Sequence, residues 1–236
     1  RRGPPPRRGA APSRAAGLRV HNPARMQRPD IDVLLDRLRQ AYPDASYELD
    51  WSTPVQMLVA TILAAQCTDE RVNAVTADLF PRYPDARAFA DADRGELEEM
   101  IRPTGTYRQK AKAIQEACRM LVDEYGGEVP QSIEALVRLP GVARKTANVV
   151  LATCFNIPSG VIVDTHVIRL SGRIGLSQAS KPEDIERDLM RLVPQDQWTF
   201  FGPALILLGR YVCTAKKPDC PNCVMQDICP KIGVAR

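Results

Sequence analysis

Beyond about residue 30, apolar residues recur at helical spacing along almost the whole chain. In 31–42, Ile31, Leu34, Leu35 and Leu38 share a face. Residues 54–66 are apolar all round, which predicts a central buried helix. In 69–80, Val72, Val75, Leu79 and Phe80 line one side, with Asp69 and Glu70 at the positive end of the helix. A long amphipathic helix is expected over 107–127, with Ile114, Cys118, Leu121 and Tyr125 inward and Gly126-Gly127 as its stop. Further helices are predicted over 132–139 (Ser132 as N-cap), 143–155, 164–174, 182–193 and 198–213. Pro203 should start or kink the last of these. Only 160–163, "GVIV", reads as strand. The connections are short and carry proline. The pattern predicts an all-α protein without internal repeats.

Composition refines this picture. The chain has 236 residues and is 44% hydrophobic, enough for a sizeable core. Its longest apolar runs fall short of the ~20 residues that span a bilayer. No secretory signal is apparent at the start, so a cytoplasmic protein away from membranes is expected, nucleoid-associated if bacterial. The first residue is Arg, and Met26 is a candidate true start. The formal charge of +4 hides an asymmetry. Residues 1–29 hold eight arginines and no acid, which leaves the body at −4. Such an Arg/Pro-rich tail reads as disordered, either without function or adding non-specific phosphate affinity. The body could bind nucleic acid only through local basic groups and backbone donors.

One such place is "LPGVARK", Leu139–Lys145. Pro140 stops one helix and Gly141 permits a tight reversal. The next helix then begins with free N–H groups, able to hold a phosphate. This is a helix-hairpin-helix pattern, although an αα-hairpin used only for packing would read the same. Lys145 lies in the first turn of that second helix. A solvated surface lysine is the plain reading. A nucleophile needs a neutral amine, which the positive helix end, Arg144 and partial burial would each favour.

Downstream, Asp164 in "VIVDTHVIRL" precedes a helical pattern and reads as an N-cap. A carboxylate fixed there could also face positive charge developing during N-glycosidic cleavage. His166 is the one histidine of the body. The seven cysteines argue against a disulfide framework. Four of them, Cys213, Cys220, Cys223 and Cys229, have the spacing C-x6-C-x2-C-x5-C, suited to Zn²⁺ or an iron–sulfur cluster.

"LPGVARKTANVV", "VDTHVIR" and "LGRYVC" with the cysteine comb, taken together, closely resemble the endonuclease III family of bifunctional DNA glycosylases and abasic-site lyases. The resemblance covers about residues 30–230. It implies two helical domains with a DNA cleft between them. One is a six-helix barrel domain bearing the hairpin, 51–163; the other, 30–50 plus 164–236, carries a [4Fe–4S] cluster. It further implies that Lys145 attacks the sugar C1′ of a nucleotide flipped from the duplex, giving a Schiff base and then β-elimination. Asp164 would stabilise the oxocarbenium charge and assist deprotonation of the amine. Leu139, Pro140, Gly141, Val142 and Ala143 would grip the backbone. Gln66 in "LAAQCTD" would fill the gap left by the flipped base, and His166 would approach the DNA. Cys213, Cys220, Cys223 and Cys229 would bind the cluster and shape a loop carrying Lys216 and Lys217 toward phosphates. The implied partner is double-stranded DNA with oxidised pyrimidines or abasic sites, bound by a monomer.

Two positions depart from the family pattern. Ala143 stands where a second hairpin glycine is common, and Thr106 where a bulky apolar wedge is common. A short polar wedge implies greater reliance on Gln66, or an altered lesion range or efficiency. Rival readings are an adenine-mispair glycosylase of the same superfamily, a non-catalytic helix-hairpin-helix module and a zinc-stabilised scaffold. The first usually lacks the lysine at 145 and carries a further C-terminal domain; the second needs neither Lys145 with Asp164 nor a cluster.

Overall fold

The computed structural model describes residues 28–234. Residues 1–27, with most of the Arg/Pro-rich tail and Met26, lie outside that range. The described residues are all helical, with no strand. Local capping chemistry sets most of the helix starts. Asp30 caps α1 (Ile31–Ala41), Thr53 caps α2 (Pro54–Leu63) and Thr68 caps α3 (Asp69–Arg82). Asp85 and Asp93 cap α4 (Ala86–Ala90) and α5 (Arg94–Ile101). Each side-chain oxygen accepts from a backbone N–H of the first turn, typically a contribution of about 1 kcal/mol. A 3-10 turn, Arg102–Thr104, leads into α6 (Tyr107–Tyr125), which ends at the left-handed Gly126 as expected. Then follow α7 (Ile133–Leu136, capped by Ser132), α8 (Arg144–Phe155), α9 (Thr165–Ile174), α10 (Pro182–Leu192) and α11 (Trp198–Tyr211).

Several expectations need correction. Helices α4 and α5 escaped the periodicity reading. The first is a single turn, and the second shows only Leu97 and Ile101 inward among charges. The D-x-x-E capping box of Asp93 and Glu96 was the available signal. Helix α2 stops at Leu63 rather than 66, and α7 at Leu136 rather than 139. Pro203 does not start a helix; α11 runs through it, forgoing the bond its N–H would have made to Thr199. Residues 160–163 are buried but form no strand among the described residues. They lie against α11 at Gly202, where a Cβ would stand 3.3 Å from the Ile162 nitrogen.

The helices pack in two groups. Helices α2 to α8 gather around α6 and α2: α4 and α5 lie on α6, and α8 lies on α2. Leu58, Leu63, Leu79, Leu97, Ile101, Ile114 and Leu121 fill this core without exposure. Each contributes roughly 1.5–3 kcal/mol by leaving water. In the second group, α11 packs on α1 and α9, and α9 packs on α10. Burial pushes the Cys118 and Cys154 thiols up to about 12, so both behave as apolar packing groups. Among the described residues no helix is long and apolar enough to cross a membrane.

Candidate active site

The hairpin forms as its residues dictate. Leu139 closes the end of α7, and the N–H of Val142 donates back to its carbonyl at 3.1 Å. Gly141 adopts φ 77°, open to glycine and strained for other residues. It is also tightly seated: a Cβ there would stand 2.8 Å from Ala113 Cβ on α6 and 3.7 Å from Ile62 Cγ2 on α2. Leu139 and Val142 are buried, so their side chains belong to the core and only their backbone can meet a ligand. Gly141 and Ala143 are exposed, and Pro140 is half-buried. Ala143 is the N-cap of α8 and supplies no side-chain bond. The first turn of α8 therefore presents N–H groups that no side chain caps, at the positive end of the helix.

Lys145 is the second residue of α8, and its side chain is exposed. The partial burial expected for it is absent. Arg144 does not act on it as a free cation either. Its Nε donates to Glu186 Oε2 at 3.0 Å. Glu186 also accepts from Asn148 Nδ2 at 2.9 Å, and Asn148 Oδ1 accepts from Ser159 Oγ at 2.8 Å. This network joins α8 of one helix group to α10 of the other. It needs Gly160, where a Cβ would stand 2.2 Å from Glu186 Oε1.

Asp164 caps α9, as expected. Its Oδ1 accepts from the N–H groups of His166 and Val167, both at 2.8 Å. Among the described residues no bond engages Oδ2. One oxygen fixes the carboxylate while the other stays free, so capping and chemistry do not compete. The His166 ring is braced through Nδ1 by Arg169 Nη2 at 3.2 Å. Nearby, Tyr47 has a buried hydroxyl with no hydrogen-bond partner. Burial first, then the charges of Asp164 and Asp69, holds that phenol well above its ordinary pKa.

His166 also borders a cleft of about 750 Å³ that runs between the helix groups. Arg210 of α11 forms its brace, donating Nη2 to Asp69 Oδ2 at 2.8 Å and Nη1 to Glu48. Glu48 also accepts from the Tyr211 hydroxyl at 2.6 Å. Neither Lys145 nor Asp164 forms the wall of this cleft. Sequence reasoning gave no role to Tyr47, Glu48 or Arg210. They lie in an irregular stretch and at a helix end, where periodicity carries no information.

Gln66 and Thr106 are exposed loop-tip residues, both left-handed, at φ 56° and 43°. Gln66 follows α2, whose Ile62 lies against Gly141 of the hairpin, whereas Asp164 and His166 sit together at the start of α9.

The four C-terminal cysteines line one hollow. Arg173 of α9 orders the loop, donating to Cys213 Sγ at 3.3 Å and to the carbonyl oxygens of Thr214 and Ala215 at 2.7 and 2.8 Å. The N–H groups of Met225 and Lys231 point at the sulfurs of Cys223 and Cys229, each at 3.4 Å. Such donors stabilise metal-bound thiolates. Among the described residues no three His, Cys, Asp or Glu gather as a single-ion site. A donor set of four thiols spread around a hollow fits an iron–sulfur cluster. Zn²⁺ would draw its sulfurs to ~2.3 Å of one point. Arg37 of α1 clamps the loop from outside through the carbonyl of Val224 and the carboxylate of Asp227, whose pKa it pulls down to about 2. Lys216 and Lys217 are exposed on this loop, whose turn is closed by Thr214 Oγ1 donating to the Lys217 carbonyl at 2.7 Å.

Comparison with known proteins bears on these features together. Residues 59–195 match the HhH-GPD superfamily base excision DNA repair proteins, and residues 213–229 match the iron–sulfur binding domain of endonuclease III. Endonuclease III of Synechocystis is 60% identical over 193 residues, 82% of this chain and 88% of its own. An endonuclease III solved in a non-covalent complex with DNA superposes with a TM-score of 0.80 at 42% identity, covering 85% of this chain and 94% of that one. A trapped covalent endonuclease III–DNA intermediate, an estranged-adenine complex, matches equally well.

Proposed function

The chain belongs to the endonuclease III family of HhH-GPD base excision DNA repair proteins, and on that premise we propose that it removes oxidised pyrimidines from duplex DNA through Lys145 and Asp164. It is a DNA glycosylase and lyase that binds DNA and carries a [4Fe–4S] cluster. The single observation carrying the residue assignment is the division of labour at Asp164. Its Oδ1 is held by two backbone N–H groups while Oδ2 is left free.

In this reading the uncapped first turn of α8 binds a phosphate beside the lesion, with Gly141 and Ala143 leaving the approach open. The damaged nucleotide leaves the stack, and Gln66 fills the gap. The interhelical cleft between Glu48, Asp69 and Arg210 receives the base. As the glycosidic bond breaks, positive charge develops at C1′ and the ring oxygen, opposite the free Oδ2 of Asp164. The Lys145 amine, having lost a proton with the help of Asp164, bonds to C1′, and the base leaves with the bonding pair. The nitrogen lone pair then expels O4′ from C1′, the ring opening as O4′ takes a proton and the iminium forms, and removal of a C2′ proton expels the 3′ phosphate. The DNA, covering the exposed Lys145, supplies the burial the free protein lacks. Cys213, Cys220, Cys223 and Cys229 would hold the cluster, which supplies a covalent staple for the loop bearing Lys216 and Lys217. Residues 51–163 and 30–50 plus 164–236 act as the two domains flanking the DNA, and the protein works in the cytoplasm as a monomer.

Two tests follow from these assignments. Asp164→Asn keeps an oxygen that can cap α9 but removes the charge. Its stability should stay within about 1 kcal/mol of the parent. Single-turnover base excision should fall by about 10²–10³. Unfolding of this variant, measured by thermal melt, would assign Asp164 to capping alone. At the wedge position, Thr106→Leu adds apolar bulk and removes β-branching from a left-handed residue, so it should fold normally. It should change lesion preference or speed turnover by about fivefold, the scale of one apolar contact of about 1 kcal/mol. Unchanged lesion range and unchanged turnover would show that Thr106 is not the wedge.

A further inference from the structure

Lys110 is the one buried lysine among the described residues, 5% exposed in the first turns of α6. A buried ammonium is costly unless it is paired, and no carboxylate lies against this one. Its Nζ donates instead to two main-chain oxygens, Leu63 at 2.8 Å and Thr104 at 2.7 Å. Neither oxygen is incidental. Leu63 is the last residue of α2, three before Gln66, and its carbonyl belongs to the negative end of the helix. Thr104 ends the 3-10 turn, two residues before Thr106. The Lys110 backbone N–H also donates to the Thr106 carbonyl at 3.1 Å, so main chain and side chain of one residue enclose that loop.

The two loops share a further property. Gln66 and Thr106 are left-handed without being glycine, and both are exposed. Such conformations cost of order 1–3 kcal/mol each and persist only where the surroundings impose them. The hairpin meets the same framework, since Gly141 is seated on Ile62, next to Leu63, and on Ala113 of α6. We propose that Lys110 is a positioning residue that ties the Gln66 loop to the Thr106 loop, so that both enter the duplex as one rigid unit. The proposal rests on the reading of Gln66 as the residue that fills the gap. Lys110 touches no substrate; it acts on the geometry of the two tips.

The test compares two duplexes in single-turnover strand cleavage, using the full chain with its cluster. One carries an abasic site opposite adenine. The other carries the same site opposite a tetrahydrofuran residue, so that no estranged base needs a partner. Lys110→Met, nearly isosteric but uncharged, should slow the first by about tenfold, the scale of losing one charge-assisted hydrogen bond. It should slow the second by less than about twofold, and the pair Lys110→Met with Gln66→Ala should be no more than about twofold slower than Gln66→Ala alone, since residues acting as a unit are not additive. Amide exchange in the variant should rise at 64–67 and 104–106 while the rest of α6 stays protected. Equal slowing on both duplexes, no slowing on either, or additive effects would each overturn the proposal. If Gln66→Ala changes neither duplex, the Gln66 reading falls and takes the proposal with it, whatever Lys110→Met does. Should Lys110→Met fail to fold, Lys110→Gln replaces it: the neutral amide is one bond shorter and cannot span both carbonyls, and the same comparison decides.

Discussion

Lys145→Ala should abolish the covalent adduct that borohydride traps on abasic duplex DNA, while stability stays within about 0.5 kcal/mol of the parent. The two halves of this expectation come from one observation. Lys145 is exposed at the start of α8 and has no ion-pair partner among the described residues, so its removal opens no cavity and strands no charge. A Schiff base needs a primary amine with a nitrogen lone pair, and alanine supplies none. Strand cleavage by β-elimination should fall by at least about 10³, since the iminium is what makes the C2′ proton acidic. Affinity for the abasic duplex should fall only modestly, because the uncapped N–H groups of α8 remain. An adduct that survives in Lys145→Ala would move the nucleophile elsewhere. An adduct lost together with the melting transition would make Lys145 a structural residue.

Cys223→Ala should bleach the brown absorbance near ~400 nm expected of the cluster and lower the melting temperature by on the order of ten degrees or more. The loop after Cys213 contains no α-helix and only one 3-10 turn, Cys220–Asn222. Its order comes from Arg173 on one side, reaching mainly main-chain oxygens, and Arg37 on the other, reaching the Val224 carbonyl and the Asp227 carboxylate. Four thiolates joined through a common group would add the constraint that these few hydrogen bonds cannot. Without it, Lys216 and Lys217 lose their fixed placement, so DNA binding should weaken and its salt dependence become shallower. An unaltered visible spectrum and an unaltered melt in Cys223→Ala would remove that cysteine from the ligand set.

Much of the fold was legible in the chain, for identifiable reasons. Long helices such as α6 carry several turns of apolar residues on one face, and that period cannot be satisfied any other way. Helix α4 could not be found because five residues hold no period. The end of α2 was misplaced because the apolar run continues through Ala64 and Ala65 after the helix has stopped. The candidate site was legible where it depends on local spacing, as with the helix cap made by Asp164 and the gathering of the four cysteines. It was not legible where it depends on chain segments far apart in sequence. Glu48 meets Arg210 across 162 positions, and Lys110 meets Leu63 across 47. Lys145 shows the limit most plainly. The sequence suggested partial burial, whereas α8 simply begins in the open.

The bare start of α8 has a consequence for how this protein can change. Seven helices here are capped by Asp, Ser or Thr side chains, and α8 is headed by a methyl group instead. A serine or aspartate at 143 would occupy those N–H groups and stabilise the free protein by about 1 kcal/mol. It would also place an oxygen where, on the proposed reading, the phosphate sits. Selection for heat resistance alone would therefore erode DNA recognition at this one residue, so tolerance to temperature and grip on damaged DNA pull the same backbone atoms in opposite directions.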